Sequence, residues 1–287
     1  MSERTETIQK PALYLVGTPI GNLQDVTLRA LDVLKQVDLI ACEDTRQTQK
    51  LLNHYGIENR CVSYHEHNEL TRSAELQMKL TQGMAIAVVT DAGMPGISDP
   101  GYRLVSLAVR HKIPVIPIPG AAAFLSALVA SGLPTDAFRF GGFLPSKLGQ
   151  RRKLLEEVKS SGITQVFYEA PHRLLGALED IVEVLGANRH VVVAREITKL
   201  YEEFVRGSAV EVLADFKKRE VVLGEIVVMF GKAEEAGQPV VVQKNARQRV
   251  RELMKTESLD EKEAMKRVAR EMGVSKSEVY RELQKGK

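Results

Sequence analysis

Acidic and imidazole side chains follow several short apolar runs in the first half of the chain. Glu-Asp at 43–44 ends one run, His-Glu-His at 65–67 ends another, and Asp91 ends a third. Three glycines and two prolines lie within the ten residues after Asp91. Carboxylates can orient a ligand or accept a proton, and glycine lets backbone groups approach a ligand closely. The pattern therefore indicates a binding site built from several loops.

Those loops need a scaffold that brings them together. From residue 12 to about 130, apolar runs such as ALYLVG (12–17) and MAIAVVTD (84–91) alternate with segments of helical periodicity such as TLRALDVLKQV (27–37). This alternation predicts a parallel sheet, whose strands present their carboxyl ends, and hence these loops, along one edge. The prolines of PVIPIPG (114–120) predict an edge strand or an early strand end.

A second unit follows residues 133–150, whose mixed composition places the domain junction there or slightly before. Some of its short strands follow one another with no helix between them, which predicts a partly antiparallel sheet. The predicted fold class is α/β, with two α/β domains (a parallel N-terminal sheet and a mixed C-terminal sheet) and a small helix-turn-helix-like extension. The predicted boundaries are an N-terminal tail 1–11, an N-terminal α/β domain 12–130, a C-terminal α/β domain 131–232, a linker 233–243 and a basic helical extension 244–287.

The extension carries most of the charge asymmetry. Residues 243–287 contain 13 Lys and Arg against 8 Asp and Glu, whereas the rest of the chain has 27 against 29. Ser258 with Glu261, and Ser275 with Glu278, have the spacing of capping boxes and predict two helices joined by a turn near Gly273. A basic tail suggests a polyanionic partner. On charge alone, a solvated helical tail whose Lys and Arg keep it soluble is the favoured interpretation.

Composition excludes several classes of protein. The 287 residues are 44% hydrophobic and 27% charged, as in soluble globular proteins. No apolar run approaches the roughly 20 residues that span a bilayer, and the first residues lack the pattern of a secretory signal. Cys42 and Cys61 have no disulfide or metal-site spacing. A cytoplasmic location is the expectation.

Common ligand motifs are absent. No GxGxxG follows a strand, and neither GxxxxGK[ST] nor GxSxG occurs. The His-Glu-His segment at 65–67 has no further histidine at ligand spacing, so a hydrogen-bonding or substrate-facing role is favoured over a zinc site. The prediction is that no metal is required.

Eight segments, in order, resemble the tetrapyrrole-methylase superfamily and, within it, the branch that methylates small-subunit ribosomal RNA. They cover residues 12 to about 231, and the tail resembles that branch's C-terminal extension. The resemblance implies S-adenosylmethionine bound between two α/β domains, 2′-O-methylation of a cytidine in the decoding region of 16S ribosomal RNA of the 30S subunit, and a homodimer. The segments are VGTPIGNLQDVTLRAL, CEDTRQT, HEHNE, DAGMPGISDPG, PIPGAAA, GGFLP, YEAPHR and ARE-TK-YEE.

The resemblance also implies which residues line the cofactor. Asp91 could instead cap its own turn, the alanines could pack a helix, and Tyr168 could be a core aromatic. The implied cofactor-binding residues are Asp91, Gly93, Met94, Pro95, Ala121, Ala122 and Tyr168.

Methyl transfer to a hydroxyl benefits from a proton acceptor. The candidates are Glu43, Asp44, Glu169 and Glu196, with Lys199 as a charge partner or an amine of lowered pKa. Each could instead form a structural ion pair, as Glu43 or Asp44 could with Arg46.

RNA binding requires contacts to phosphate and ribose. Asn22 could instead cap a helix, and the basic run SKLGQRRK (146–153) could be a solvated helix start. The candidate substrate-binding residues are Asn22, Arg46, His65, His67, Lys147, Arg151, Arg152 and Arg173.

Two other functions compete with RNA methylation. One is a methylase of the same fold acting on a tetrapyrrole or another small molecule. The other is a non-enzymatic nucleic-acid-binding protein that uses the tail, which would have no affinity for the cofactor.

Overall fold

Two five-stranded sheets organise the part of the chain that carries the predicted site. The computed structural model describes residues 7–233, 249–250, 253–254, 260–272 and 274–284. The described residues up to Ala233 form one compact unit, which contains both sheets, and the described residues after it belong to another. No helix among the described residues is long and apolar enough to cross a membrane.

The first sheet is entirely parallel and has the strand order β3-β2-β4-β1-β5. The predicted edge position of the proline-containing strand is confirmed, because β5 pairs only with β1. The strands are β1 (Ala12–Val16), β2 (Leu39–Cys42), β3 (Cys61–Ser63), β4 (Ala85–Val89) and β5 (Val115–Ile118). The helices are α1 (Leu28–Gln36), α2 (Thr45–His54), α3 (Glu69–Thr81), α4 (Tyr102–Arg110) and α5 (Ala123–Ser131).

Both faces of this sheet are buried, which explains why its strands read as continuous apolar runs. In β1, Tyr14 and Val16 pack into a cluster on one face, and Leu13 packs into a cluster on the other. The strands therefore deliver their terminal loops from a rigid base.

The second sheet is mixed, with the order β6-β7-β10-β8-β9. Only the β6–β7 pair is parallel, and the other three pairs are antiparallel, as predicted. The strands are β6 (Phe138–Phe143), β7 (Thr164–Glu169), β8 (His190–Arg195), β9 (Glu203–Ser208) and β10 (Ile226–Phe230). The helices are α6 (Leu148–Val158), α7 (Leu174–Leu185) and α8 (Ala209–Lys217).

Strand β6 was not predicted, because it lies within the segment interpreted as a domain junction. Its sequence FRFGGF contains two glycines, and its register with β7 shifts between Phe140 and Phe143. Glycine weakens strand propensity, so the segment has no strand pattern of its own.

Among its described residues, the unit after Ala233 includes the helices α9 (Glu261–Met272) and α10 (Lys276–Gln284). The predicted capping box of α10 is confirmed, since Ser275 Oγ and N both donate to Glu278 and Glu278 N donates back to Ser275 Oγ. At the start of α9, Asp260 Oδ1 accepts from Glu263 N at 2.7 Å. Ser258, Gly273 and nearly all of the predicted linker lie outside the described residues.

Candidate active site

A cavity of about 870 Å³ lies between the two sheets. The loops after β4 and β5 form one side of it, and the end of β7 and the start of β10 form the other. Its walls are mostly apolar, with two carboxylates at Asp99 and Glu169 and a third at Glu225. The lining residues are Ile20, Ala92–Pro95, Ile97–Asp99, Pro117, Pro119, Gly120, Ala122–Leu125, Phe143, Tyr168–Pro171, Ile197 and Gly224–Val227.

The loop after β4 is fixed to the loop after β1 by backbone hydrogen bonds. Thr18 N donates to Gly93 O at 2.9 Å, and Gly93 N donates to Thr18 O at 3.1 Å. Thr18 Oγ1 also donates to Thr90 O at 3.1 Å. Gly93 has a φ of 89°, a conformation that glycine adopts without strain. These contacts hold Met94 and Pro95 in the cavity wall.

Most of the predicted cofactor residues lie at the cavity. Gly93, Met94, Pro95, Ala122 and Tyr168 line it, and the Tyr168 ring packs edge-on against Phe140 and Phe143. Ala121 instead packs against the apolar cluster next to the second sheet.

Asp91 lies beside the cavity rather than in its lining. Its Oδ1 accepts from Asp44 N at 3.1 Å. Burial raises the pKa of Asp91, and the charges of Glu43 and Asp44 add to that effect. Asp91 therefore links the ends of β4 and β2.

Asp99 is a cavity residue that sequence reasoning missed. Burial raises the pKa of its carboxyl to about 6, and the negative charges of Glu43 and Asp91 contribute. Between these groups lies Thr90, which is buried and donates from Oγ1 to Glu43 Oε2 at 3.0 Å. The segment SDPG reads as an ordinary turn, and only its proximity to Asp91 in the sequence could have drawn attention to it.

Asp44 and Arg46 form the structural ion pair that competes with a catalytic role for Asp44. Asp44 caps α2 by accepting from Arg46 N at 2.8 Å, and its Oδ2 lies 2.7 Å from the guanidinium. Hydrogen bonds from Arg46 lower the pKa of Asp44 to about 2. Glu43 has Thr90, not Arg46, as its hydrogen-bond donor.

Glu169 is 2% exposed and lies in the cavity wall. Its Oε1 accepts from Ala170 N at 2.7 Å and lies 2.6 Å from the guanidinium of Arg173. Its Oε2, like Arg173 Nε, has no hydrogen-bond partner among the described residues. Burial raises the pKa of Glu169. A buried oxygen without a partner marks a place where a ligand donor would fit.

Glu196 and Lys199 form an ion pair of 2.8 Å near the start of β10. Lys199 also lies 3.3 Å from Glu225, and Glu196 Oε1 accepts from Glu225 N at 3.0 Å. The hydrogen bond from Lys199 lowers the pKa of Glu196. Burial alone would lower the pKa of Lys199, but Glu196 and Glu225 outweigh it and raise that pKa. This geometry matches Lys199 as a charge partner, not as a neutral amine.

Several predicted substrate residues have partners within the protein. Asn22 Oδ1 accepts from Gln24 N at 3.1 Å, which is the capping role weighed above. Arg151 is buried against Asp180 at 2.6 Å, and Arg152 shares that carboxylate and also pairs with Glu183.

The other predicted substrate residues differ in exposure. Arg46, with 86% of its side chain exposed, and Lys147 face solvent. His65 is half-buried next to Asn68, whereas His67 is exposed. In the described part of the chain, no group of three His, Cys, Asp or Glu side chains could hold a metal ion.

Two stacked α/β layers with a cavity between them define the class of this protein. Residues 12–213 match the family described as Tetrapyrrole (Corrin/Porphyrin) Methylases, and the chain belongs to this family. The solved structure of diphthine synthase superposes with a TM-score of 0.60 at 14% identity, covering 78% of this chain and 91% of that one. At this identity the likeness shows the fold alone.

Two named relatives are much more similar to this chain in sequence than diphthine synthase is. The chain is 50% identical over 273 residues to Ribosomal RNA small subunit methyltransferase I of Halalkalibacterium halodurans, covering 94% of each protein. It is 45% identical over 268 residues to the protein of that name from Synechocystis, covering 93% of this chain and 95% of the relative. The predicted superfamily, branch and fold class are thereby confirmed.

Proposed function

We propose that this protein is an S-adenosylmethionine-dependent methyltransferase that methylates the 2′-hydroxyl of a cytidine ribose in the decoding region of 16S ribosomal RNA. The observation that carries the proposal is near-full-length similarity to relatives named for small-subunit ribosomal RNA methylation. The cavity supports it, because the family-like loops after β4, β5 and β7 meet there.

The cavity residues fit S-adenosylmethionine in shape and charge. Apolar side chains such as Met94, Phe124 and Ile197 suit an adenine ring. The carboxylates of Asp99 and Glu169 suit the ammonium, sulfonium and ribose hydroxyl groups, and Glu169 Oε2 has no hydrogen-bond partner among the described residues. When bound, the cofactor supplies a methyl group activated by the sulfonium charge.

The protein's own contribution is positioning and proton transfer. Rigid strand ends hold the loops, and the apolar walls exclude water from the reacting groups. Orientation of this kind can supply roughly 7–11 kcal/mol of the barrier reduction. A carboxylate base adds about 10²–10⁴ in rate.

Basic residues outside the cavity support a 30S or ribosomal RNA partner. Arg46 and Lys147 are exposed, and the C-terminal segment has 13 basic against 8 acidic residues. A ribosomal substrate implies a cytoplasmic location, and we extend the proposal to a homodimer, which is the expectation for the family.

The decisive assay measures methyl transfer from labelled S-adenosylmethionine to 30S subunits, with mass mapping of the product nucleotide. Subunits isolated from cells that lack the modification are the substrate, and subunits already carrying it are the matched control. We expect one 2′-O-methylated cytidine in the decoding region of the first and no transfer to the second. Cofactor binding without transfer to 30S subunits or free RNA would favour a small-molecule methylase. Nucleic-acid binding without cofactor affinity would favour the non-enzymatic alternative.

The exposed lysines of α9 provide a test of the RNA contact. The variant Lys262→Glu/Lys266→Glu reverses two of these charges and should weaken binding to 16S ribosomal RNA. The magnitude of the slope of log affinity against log salt should fall by about 1.5, because each phosphate contact contributes about 0.7–0.9. Filter binding across a salt series measures this. The control is Lys35→Glu/Lys79→Glu, at the ends of α1 and α3 that lead into β2 and β4, on the sheet edge away from the cavity. Equal slopes for both variants would contradict the contact.

A further inference from the structure

The last residue of β6, Phe143, is an aromatic side chain that stands exposed at the cavity. It lines the cavity wall, yet it is 56% exposed. Phenylalanine is ordinarily among the more buried residues, so an exposed ring beside a cavity requires an explanation. Core packing does not supply one. Phe140 and Leu144, on either side of Phe143 in the chain, both join the apolar clusters of the second sheet, and Phe143 does not.

A bulge in β6 turns Phe143 towards the cavity. In a regular strand, residues three positions apart point to opposite faces of the sheet. Phe140 and Phe143 are three positions apart, but both rings contact the ring of Tyr168, with centroid distances of 5.0 and 5.4 Å. The register of β6 against β7 shifts between these two residues, and a bulge re-aims the side chain that follows it.

The two glycines between the rings make this bulge possible. A Cβ at Gly141 would lie 2.2 Å from Cε1 of Phe167, and Gly142 has a φ of 67°, which glycine adopts without strain. Contact with β7 resumes directly after Phe143, because Leu144 N donates to Tyr168 O at 3.0 Å. The strand therefore omits two side chains and places one ring at the cavity mouth.

The ring of Phe143 is held on one side and open on the other. Tyr168 contacts it edge-on, with an angle of 61° between the planes, and no other ring of the described residues contacts it. A flat apolar surface that one neighbour fixes and that remains exposed is suited to stacking with another ring.

Positive charge accompanies this ring. Residues 137–155 contain five basic side chains and no acidic one. Two of the five pair with Asp180. The other three, Arg139, Lys147 and Lys153, are exposed and have no ion pair within the described part of the chain. An exposed ring with unpaired cations nearby fits an unpaired nucleotide, whose base stacks on the ring while its phosphates attract the cations.

Resting on the proposed function, we infer that Phe143 stacks on the base of the target cytidine at the mouth of the cavity. A ribose that places its 2′-hydroxyl in the cavity brings its own base to the cavity mouth. That base must leave its stacked position in the RNA, and an aromatic side chain replaces part of the lost stacking. Phe143 is therefore a substrate-binding residue that orients the nucleotide.

The experiment measures methyl transfer to unmodified 30S subunits over a range of subunit concentrations for wild type, Phe143→Ala, Phe143→Leu and Phe143→Tyr. Loss of the stacking ring in Phe143→Ala should lower kcat/KM by about 5- to 150-fold. Phe143→Leu should lose most of this activity as well, because leucine keeps the apolar volume but has no flat ring. Phe143→Tyr should remain within about threefold of wild type, because tyrosine keeps the ring.

Phe138→Ala is the matched control. Phe138 begins the same strand, is 39% exposed and is not part of the cavity lining. Its removal tests whether loss of any exposed ring from β6 disturbs activity, and we expect kcat/KM within about threefold of wild type. Calorimetry should give an S-adenosylmethionine affinity within about threefold of wild type for all of the variants, and light scattering should show an unchanged oligomeric state.

Ultraviolet cross-linking provides a readout that does not depend on turnover. Wild type is irradiated with unmodified 30S subunits and S-adenosylhomocysteine, and the digested products are identified by mass spectrometry. Trypsin cleaves after Arg139 and Lys147 and so releases residues 140–147 as one peptide. We expect this peptide to carry a cytidine adduct in wild type and Phe143→Tyr, and to lack it in Phe143→Ala.

The outcomes separate the stacking role from the proposed function. A kcat/KM of Phe143→Ala within about threefold of wild type, equal losses in Phe143→Ala and Phe138→Ala, or cross-links confined to other peptides would overturn the stacking role alone. A loss explained by weaker cofactor binding would assign the ring to the cofactor, and a changed oligomeric state would assign it to an interface between copies of the chain. Either result would also overturn the stacking role. Failure of wild type to methylate 30S subunits or free RNA would overturn the proposed function and, with it, this role.

Discussion

Gly120→Ala is expected to lose S-adenosylmethionine affinity by about a hundredfold or more and to lose methyl transfer with it. A Cβ at Gly120 would lie 2.7 Å from Gly17 Cα and 2.9 Å from Gly17 C. Both are backbone atoms, so no side-chain rotation can relieve the contact. A displacement of about 1 Å at a reacting site can cost about 10²-fold in rate.

The contact cannot relax, because two paired strands hold both glycines. Gly17 follows β1 and Gly120 follows β5, and Gly17 N donates to Ile118 O at 3.2 Å. Gly120 itself lines the cavity. The two loops must therefore separate to admit a methyl group, and the cavity wall moves with them. We also expect about 1–3 kcal/mol of destabilisation from the added atom.

Gly149→Ala is the matched control for this variant. Gly149 lies in α6 with an exposed surface, and a Cβ there would meet no atom within 4 Å. Alanine favours helix over glycine by roughly 0.5–1 kcal/mol, so this variant should be slightly more stable and bind normally. Calorimetric cofactor titration and thermal melting measure both effects. A Gly120→Ala protein that binds cofactor within threefold of wild type would show that the loops are more adaptable than the strand pairing indicates.

The sequence predicts the scaffold well, because local patterns determine it. The parallel first sheet, the edge position of β5 and the mixed second sheet follow from apolar runs, prolines and connection lengths. The same reasoning locates the loop from Asp91 to Pro95, since the carboxyl ends of parallel strands meet at one edge. Strand β6 could not be predicted in this way, because two glycines interrupt its pattern of apolar residues and its position depends on pairing with β7.

The sequence could not predict which side chains that lie far apart in the chain become partners in the fold. The pKa of Asp99 is raised by its burial at the cavity and by the charge of Glu43, which lies 56 positions earlier in the chain. Arg151 and Arg152 read as a basic surface run, yet Asp180 on α7 holds both. Charge patterns in a sequence indicate which residues can bind a polyanion, but not which of them the fold has already neutralised.

The buried ion pair of Arg151 with Asp180 leads to the second prediction with a large effect, which concerns the stability of the fold. Asp180→Ala should lower the free energy of unfolding by about 3–5 kcal/mol, because it leaves a buried guanidinium without its counter-charge. Asp180 is 2% exposed and Arg151 has 8% of its side chain exposed, with Arg151 Nε donating to Oδ2 at 2.7 Å. Arg151 also donates to the carbonyls of Pro145 and Ser146, so the loop between β6 and α6 depends on the same side chain.

Glu183→Ala is the control, since it removes the other carboxylate beside Arg152. Glu183 has 60% of its side chain exposed, and an exposed pair contributes only about 0–1 kcal/mol. Urea denaturation at pH 7 compares the two variants.

A structural role for the buried pair further predicts that Arg151→Met/Asp180→Leu recovers most of the lost stability, since an apolar pair can replace a buried ion pair. If Arg151 instead serves RNA, Asp180→Ala would cost little stability and would strengthen RNA binding by freeing the guanidinium, and that result would return Arg151 to the substrate-binding surface.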